Sequence, residues 1–340
     1  MATANQRPFR DPSPATAGRV VTGSARDHGG GLDAAIATYG GERHDWLDLS
    51  TGINPVPYPV GDIPFDAWTA LPDRKAMARL EQATRIFWKI PDDAEVIAAP
   101  GASALIARIP HLSDGGPAHI PGPTYNEHAA AFEAHAQPCG HEDPAAQTHV
   151  YVHPNNPDGR LWEDAHIGSR SLTIIDESFC DVTPAASHIA RSPEVGVLIL
   201  KSFGKFWGLA GLRLGFAVAS HRTLNPLRKA GLADLLGPWA VSGSALEIGA
   251  RALEDKGWAA QTRIRLATDA ARLDAMMAPH AKIVGGTDLF RLYEVDSAAA
   301  WQERLARRHI WSRIFPYSKT WVRLGLPAPD RWGQLSRALK

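Results

Sequence analysis

Lys205 stands in the stretch Ser202-Phe-Gly-Lys205-Phe-Trp-Gly-Leu-Ala-Gly-Leu-Arg213, a lone ammonium among aromatic and glycine residues. A hydroxyl lies three positions before it and a guanidinium eight after. Three chemistries suit such a group. Ser202-x-x-Lys205 has the spacing of the S-x-x-K motif, in which the serine is an acylated nucleophile, but the companion S-D-N and K-T-G motifs are missing. His28-Gly-Gly-Gly31 has the form of an HGGG oxyanion element, which works only beside a G-x-S-x-G nucleophile elbow, and the chain has none. The remaining chemistry is covalent catalysis by the amine itself, which condenses with a carbonyl to form a Schiff base once its surroundings favour the unprotonated state.

That chemistry makes further demands, and the chain meets them. Pyridoxal phosphate held on such a lysine needs an acid opposite its ring nitrogen, donors for its phosphate and an aromatic face against its ring. The run "SLTIID" (171–176) ends in Asp176, at the carboxyl end of an expected strand, where ligands bind in parallel sheets. Ionised, Asp176 keeps the pyridine nitrogen protonated. Ser202 and Arg213 offer a hydroxyl and a bidentate guanidinium to the phosphate. Gly101-Ala102-Ser103 opens a helix after the run 95–99, where unsatisfied N–H groups and the helix dipole suit the same phosphate. Tyr125, in "PGPTYNEH", follows another expected strand and would cover the ring.

Such residues need a parallel sheet to carry them, and the patterning supplies one. Short β-type runs at 95–99, 117–121, 148–152, 171–176, 195–201 and 212–219 alternate with helical patterns. Most are apolar throughout, as strands covered on both faces must be. From about residue 222 long amphipathic helices follow, then "LFRLYEV", a helix over 297–308, "IWSRIFPY" and "WVRLGL". The expected fold is α/β. A mixed, mainly parallel sheet forms a large domain over 45–225, a smaller α+β domain follows over 226–340, and residues 1–44 form an N-terminal arm that contacts substrate. With 340 residues and 44% hydrophobic composition the chain can bury a large core.

Lys+Arg and Asp+Glu each total 36, so charge gives no reason to expect a nucleic acid or a membrane surface, and a small molecule is the expected partner. No apolar run approaches the roughly 20 residues of a membrane span, and the N-terminus lacks the apolar core of a secretory signal. The expected compartment is the cytoplasm. Cys139 and Cys180 are too few for a disulfide framework, and no CxxC or HExxH spacing points to a metal.

Together, these segments resemble the fold-type I pyridoxal-phosphate enzymes of the class I and II aminotransferase family, from about residue 45 to 325. The resemblance implies that Lys205 carries the cofactor, that Ser202 and Arg213 bind its phosphate, and that Asp176 partners the ring nitrogen. It makes Tyr125 the ring stacker, Asn156 in "HPNNPDGR" the donor to the phenolic oxygen, and Arg323 in "WVRLGL" the carboxyl-binding arginine. It also implies a homodimer with sites at the subunit interface. Within the family, "HGG" (28–30), "LDLSTGINP" (47–55), "DESFCD" (176–181) and "GPWAVSGSALEIGARALED" (237–255) are similar to segments of the threonine-phosphate decarboxylases of the cobalamin pathway. Those read HGG, F-S-A-N-I-N-P, D-E-A-F and P-W-S-V-N. Phe179 stands where many aminotransferases carry a tyrosine whose hydroxyl helps hold the phenolic oxygen, which favours decarboxylation.

The activity so implied is decarboxylation of L-threonine O-3-phosphate to 1-amino-2-propanol phosphate, with a cobinamide-forming synthase as the partner that takes the product. His28, Asn54 and Arg323 would clamp the two anionic groups, with Arg313 and Lys319 as further candidates. Transamination of histidinol phosphate is the alternative. The chain departs from the family pattern at Asp158, where N-P-T-G has threonine, and in the short interval from Asn156 to Asp176, which clips the crossover helix. Leu71-Pro72-Asp73 replaces a Y-P-D whose tyrosine reaches the partner subunit's cofactor phosphate, and Pro100-Gly-Ala-Ser103 replaces a G-N-G-E-T type loop.

Overall fold

Apolar strands that must be covered on both faces draw the large body together. The computed structural model describes residues 28–141, 143–227 and 229–340, so residues 1–27 of the expected N-terminal arm lie outside the described residues. Seven strands lie in the order Ala94–Ala99, Gly215–Ser220, Val197–Ser202, Leu172–Asp176, Thr148–Val152, Ala118–His119 and Cys139–Gly140. Gly215–Ser220 runs antiparallel to both neighbours and every other pairing is parallel. The sheet is therefore mixed and mainly parallel, as the sequence led us to expect. Alternation sends Ile174, Leu198, Leu200 and Ala217 into a core on one face, and Ile175, Ile199, Phe216 and Val218 into the core on the other. All eight are fully buried, and each of the larger ones contributes roughly 1.5–3 kcal/mol through the water it sheds.

The reversal at Gly215–Ser220 decides where the lysine goes. A parallel neighbour would require a crossover to the far end of the sheet, whereas an antiparallel one needs only a return loop. The loop 203–214 thus stays at the carboxyl end, its base closed by Phe203 N–H donating to Leu214 O (3.0 Å) with Ser202 opposite Gly215. The run read as 212–219 begins only at Gly215, because Ala210–Leu212 winds into a 3-10 turn and Arg213 takes a left-handed φ of 52°. The link from Asn156 to Asp176 carries a helix of only four residues, Asp164–Ile167, so the turn bearing Asn156 stays beside the strand that ends in Asp176. Cys139–Gly140 is an edge strand too short to leave any alternation in the sequence.

The second body is a four-stranded antiparallel sheet ordered Arg313–Phe315, Ser318–Gly325, Phe290–Glu294 and Lys282–Thr287. It is entered through the helices Gly243–Glu254 and Lys256–Met277, separated at Asp255, whose carboxylate caps the second by accepting from Trp258 N–H at 2.8 Å. Leu47–Asp48 pairs in parallel with Ile310–Trp311, which ties the segment after it to the small sheet. Among the described residues, no helix is long and apolar enough to cross a membrane.

Candidate active site

The aromatic residues around Lys205 explain how a cation stands among them. Phe203, Phe206 and Trp207 are fully buried, and the Trp207 ring stacks with Phe203 (5.0 Å between centroids) and with Trp258 (5.4 Å). They pin the loop to the core and leave Lys205 lining a cavity. Its Nζ lies 5.2 Å from the Phe179 ring and donates to Thr51 O at 3.5 Å. Burial, then the nearby Arg323 and Arg213, push this ammonium down to about 8 against the pull of Asp176. Far more of the amine is therefore unprotonated near neutral pH than in an ordinary lysine, and only that form has the lone pair a nucleophile needs.

Asp176 ends its strand fully buried and facing the same cavity. Its Oδ2 lies 2.9 Å from His128 Nε2, and its Oδ1 accepts from Ser178 N–H at 3.0 Å and Ser178 O–H at 2.5 Å. Burial alone would raise its pKa, but the bonds from His128 and Ser178 outweigh it and hold the carboxyl below its ordinary value. The sequence reading missed His128 and Ser178. The only trace of His128 is its spacing, one helical turn beyond Tyr125, on the Asn126–Ala134 helix that Tyr125 caps. The two rings meet edge-on at 6.2 Å.

Ala102, Ser103, Tyr125, Asn156, Asp176, Ser202, Lys205 and Arg213 line one inner cavity of about 130 Å³. Gly101 belongs to it by default: with φ +86°, it leaves space that Arg213 fills, since a Cβ would lie 2.5 Å from Arg213 Nη2. Arg213 itself holds its left-handed backbone at a cost of roughly 1–2 kcal/mol, with Nη1 donating to Ala210 O at 3.1 Å. Backbone strain of this kind is characteristic of functional loops. An outer cavity of about 400 Å³ adjoins the first and shares Tyr125, Asn156 and Lys205 with it. His28, Arg313 and Arg323 line it, and no carboxylate does among the described residues. Lys319 is exposed and lines neither cavity.

Arg323 is almost fully buried. One of its Nη groups donates to Asn156 Oδ1 and the other to Ser50 O at 2.5 Å, while Nε has no partner among the described residues. Burial, then Arg313, which sits directly across from it on the adjoining strand, push the guanidinium down to about 10. His28 Nε2 lies 3.0 Å from Glu127 Oε1.

Asn54 is placed elsewhere. Its Nδ2 donates to Phe206 O (2.8 Å), its Oδ1 accepts from Val56 N–H (3.0 Å) and Arg265 Nη2 (2.7 Å), and its own N–H donates to Lys205 O (3.0 Å). The expectation that Asn54 clamps substrate is thus corrected: its amide is spent on fixing the backbone beneath Lys205, and it lines neither cavity.

These residues fit pyridoxal phosphate. The glycine cradle filled by Arg213, the Ser202 hydroxyl and the first-turn amides of Ala102 and Ser103 suit an anion, and the buried Asp176, whose carboxyl is held below its ordinary pKa, lines the same cavity. Lys205 lines that cavity with them. Residues 146–335 match the family model of the class I and II aminotransferases. The chain belongs to that family. As a member of it, the chain uses pyridoxal phosphate. It is 40% identical over 325 residues to a threonine-phosphate decarboxylase of Sinorhizobium sp, covering 90% of this chain and 94% of that one. It is 37% identical over 335 residues to a threonine-phosphate decarboxylase of Pseudomonas aeruginosa, covering 92% and 97%. Among solved structures, histidinol-phosphate aminotransferase from Sinorhizobium meliloti in complex with pyridoxal-5'-phosphate superposes with a TM-score of 0.75 at 16% identity, over 91% of this chain and 93% of that one.

Proposed function

We propose that this aminotransferase-family chain decarboxylates L-threonine O-3-phosphate to (R)-1-amino-2-propanol O-2-phosphate. The observation that carries the reading is the outer cavity: Arg313 directly opposite Arg323 on adjacent strands, with His28, itself 3.0 Å from Glu127 Oε1, on the same wall and no lining carboxylate among the described residues. Like charges placed opposite each other across strands destabilise a sheet, and a ligand bearing more than one negative charge would offset that repulsion. L-Threonine phosphate carries two anionic groups flanking one amine. Whole-length likeness to two threonine-phosphate decarboxylases supports the same substrate. Phe179 offers the inner cavity a buried ring without the hydroxyl a tyrosine would bring.

When bound, pyridoxal phosphate supplies an electron-withdrawing ring that stabilises the pair left at Cα as the carboxylate departs as CO₂. The chain does the rest. Ser202, Arg213 and the Gly101–Ser103 turn would hold the cofactor's phosphate, Asn156, whose Oδ1 is taken by Arg323, would offer Nδ2 to the phenolic oxygen, and Asp176 would hold a proton on the ring nitrogen. His28, Arg313 and Arg323 grip the substrate at two points, which stops rotation about Cα and selects the bond to be broken. The Lys205 amine, which lines both cavities, would return a proton to Cα.

Product analysis tests this. The purified, cofactor-loaded protein should release CO₂ from L-threonine phosphate, and kcat/KM for L-threonine itself should be lower by at least about 10³-fold, because the phosphate-binding groups are left unpaired. It should form no glutamate from histidinol phosphate and 2-oxoglutarate. Equal turnover of free threonine, or faster amino transfer from histidinol phosphate, would overturn the assignment.

We infer further that the functional unit is a homodimer in the cytoplasm, whose product passes to a cobinamide-forming synthase. Leu71, at the position where relatives place the tyrosine that reaches the partner subunit's cofactor, is 67% exposed, and Phe65 (79%), Trp68 (63%) and Trp239 (54%) are further exposed large apolar side chains. Pro72 and Trp239 line one groove, and the backbone of Ala67 packs against Gly243 near it. Trp68→Glu with Leu71→Asp should therefore convert a dimer into a monomer by sedimentation. An unchanged dimer would place the interface elsewhere.

A further inference from the structure

We propose that Ser50, which lines neither cavity, is a positioning residue that couples the N-terminal anion contact at His28 to Arg323, so that the two halves of the substrate clamp act as one unit. The inference rests on the decarboxylase reading of the outer cavity.

Ser50 is fully buried and uses every polar group it has. Its hydroxyl donates to Asp48 Oδ1 at 2.6 Å and accepts from Gly30 N–H at 2.7 Å, its own N–H donates to Asp48 Oδ1 at 2.9 Å, and its carbonyl accepts from Arg323 Nη2 at 2.5 Å. A hydroxyl has one hydrogen. With that hydrogen held by Asp48, the oxygen lone pairs are turned to Gly30, two residues from His28. The approach is close enough that a Cβ on Gly29 would lie 2.4 Å from Ser50 O. Asp48 is held in turn by the pairing of Leu47–Asp48 with Ile310–Trp311, and Gly325, two residues after Arg323, donates its N–H to Leu49 O at 2.7 Å. Three stretches that line the outer cavity therefore meet at this one buried serine: the 28–30 segment, the 51–53 loop and the strand of Arg323. A serine that only closed a loop would need one of these bonds; one that ties His28 to Arg323 needs all of them.

Losing the hydroxyl removes the anchor of the 28–30 segment and leaves the carbonyl bond to Arg323 in place. Ser50→Ala should raise KM for L-threonine phosphate about tenfold, as expected for one well-placed hydrogen bond, with a smaller change in kcat. His28→Ala should give a rise of similar size. If Ser50 acts through His28, the double variant will be no worse than the worse single one, a coupling measured by the mutant cycle. The dissociation constant of inorganic phosphate for the cofactor-loaded protein, read by calorimetry, should follow the same pattern. Ser50→Cys keeps the volume but offers a poor acceptor, and should reproduce the KM rise where the alanine variant does not fold. Effects that multiply in the double variant, or a lowered melting temperature with unchanged KM and phosphate affinity, would overturn the proposal. Failure of the decarboxylase reading would show separately, as a wild-type protein that does not turn over L-threonine phosphate, and the calorimetric cycle would still report on Ser50.

Discussion

Lys205→Ala should reduce turnover on the order of 10⁴-fold or more, since one amine supplies both covalent attachment and the returning proton. Borohydride reduction and peptide mapping of the wild-type protein should find the cofactor on Lys205; labelling of another lysine would remove the assignment. The cofactor-free variant carries a second, less intuitive expectation. The folded pKa of about 8 lies below the ordinary lysine value, so folding disfavours the charged amine. That penalty is fully present below pH 8 and fades as the pH rises toward the unfolded value near 10.4. At pH 7 the cofactor-free Lys205→Ala protein should therefore melt no lower than the wild type, with the difference closing by pH 10. A variant that melts well below the wild type at pH 7 would show that Lys205 has a stabilising partner in the fold.

Asp176→Asn should cost roughly 10²–10³-fold in kcat, the range for removing a preorganised electrostatic group, with little change in KM, because the carboxylate lines the inner cavity and not the outer one. An asparagine cannot hold a proton on the ring nitrogen. The loss should appear in the cofactor's absorption as well as in the rate, which separates it from damage to substrate binding. His128→Phe tests the brace behind it: it removes the neighbour 2.9 Å from Oδ2 while the two Ser178 bonds remain, so the effect should be smaller, about tenfold. A His128→Phe variant as impaired as Asp176→Asn would mean that the histidine, not the carboxylate, governs the ring. Unchanged turnover in Asp176→Asn would show that another acid faces it.

Most of the inner site was legible in the sequence because its residues occupy strand ends and tight turns, where identity and position are locked together. Asp176 follows an apolar run, Ser202 and Arg213 flank a glycine-rich return loop, and Gly101 opens a short helix. Each of these lines or borders the inner cavity. The residues that brace the two cavities were less legible. Ser178 and Ser50 carry no spacing signal and His128 only its place one turn beyond Tyr125, since a single polar residue in a helix or a loop reads the same whether it braces an active site or faces water. Asn54 was misplaced for a related reason: its motif announces a functional neighbourhood, but the direction of a short amide depends on which backbone groups crowd it, here Phe206 O, Val56 N–H and the side chain of Arg265.

By itself, then, the sequence determined the sheet's core strands, the lysine and the residues that share its inner cavity, because local alternation and turn chemistry need no distant partner. Only the tertiary structure decided what depends on chain segments far apart in sequence. The antiparallel Gly215–Ser220 strand keeps the lysine loop at the carboxyl end of the sheet. The hairpin register sets Arg313 opposite Arg323. Pairing of Leu47–Asp48 with Ile310–Trp311, some 260 residues apart, brings Ser50 between the N-terminal segment and the small-domain arginine. Long-range contacts of this kind form only when a core large enough to offset the loss of chain entropy closes around them, and no local pattern in the sequence records which side chains that closure brings face to face.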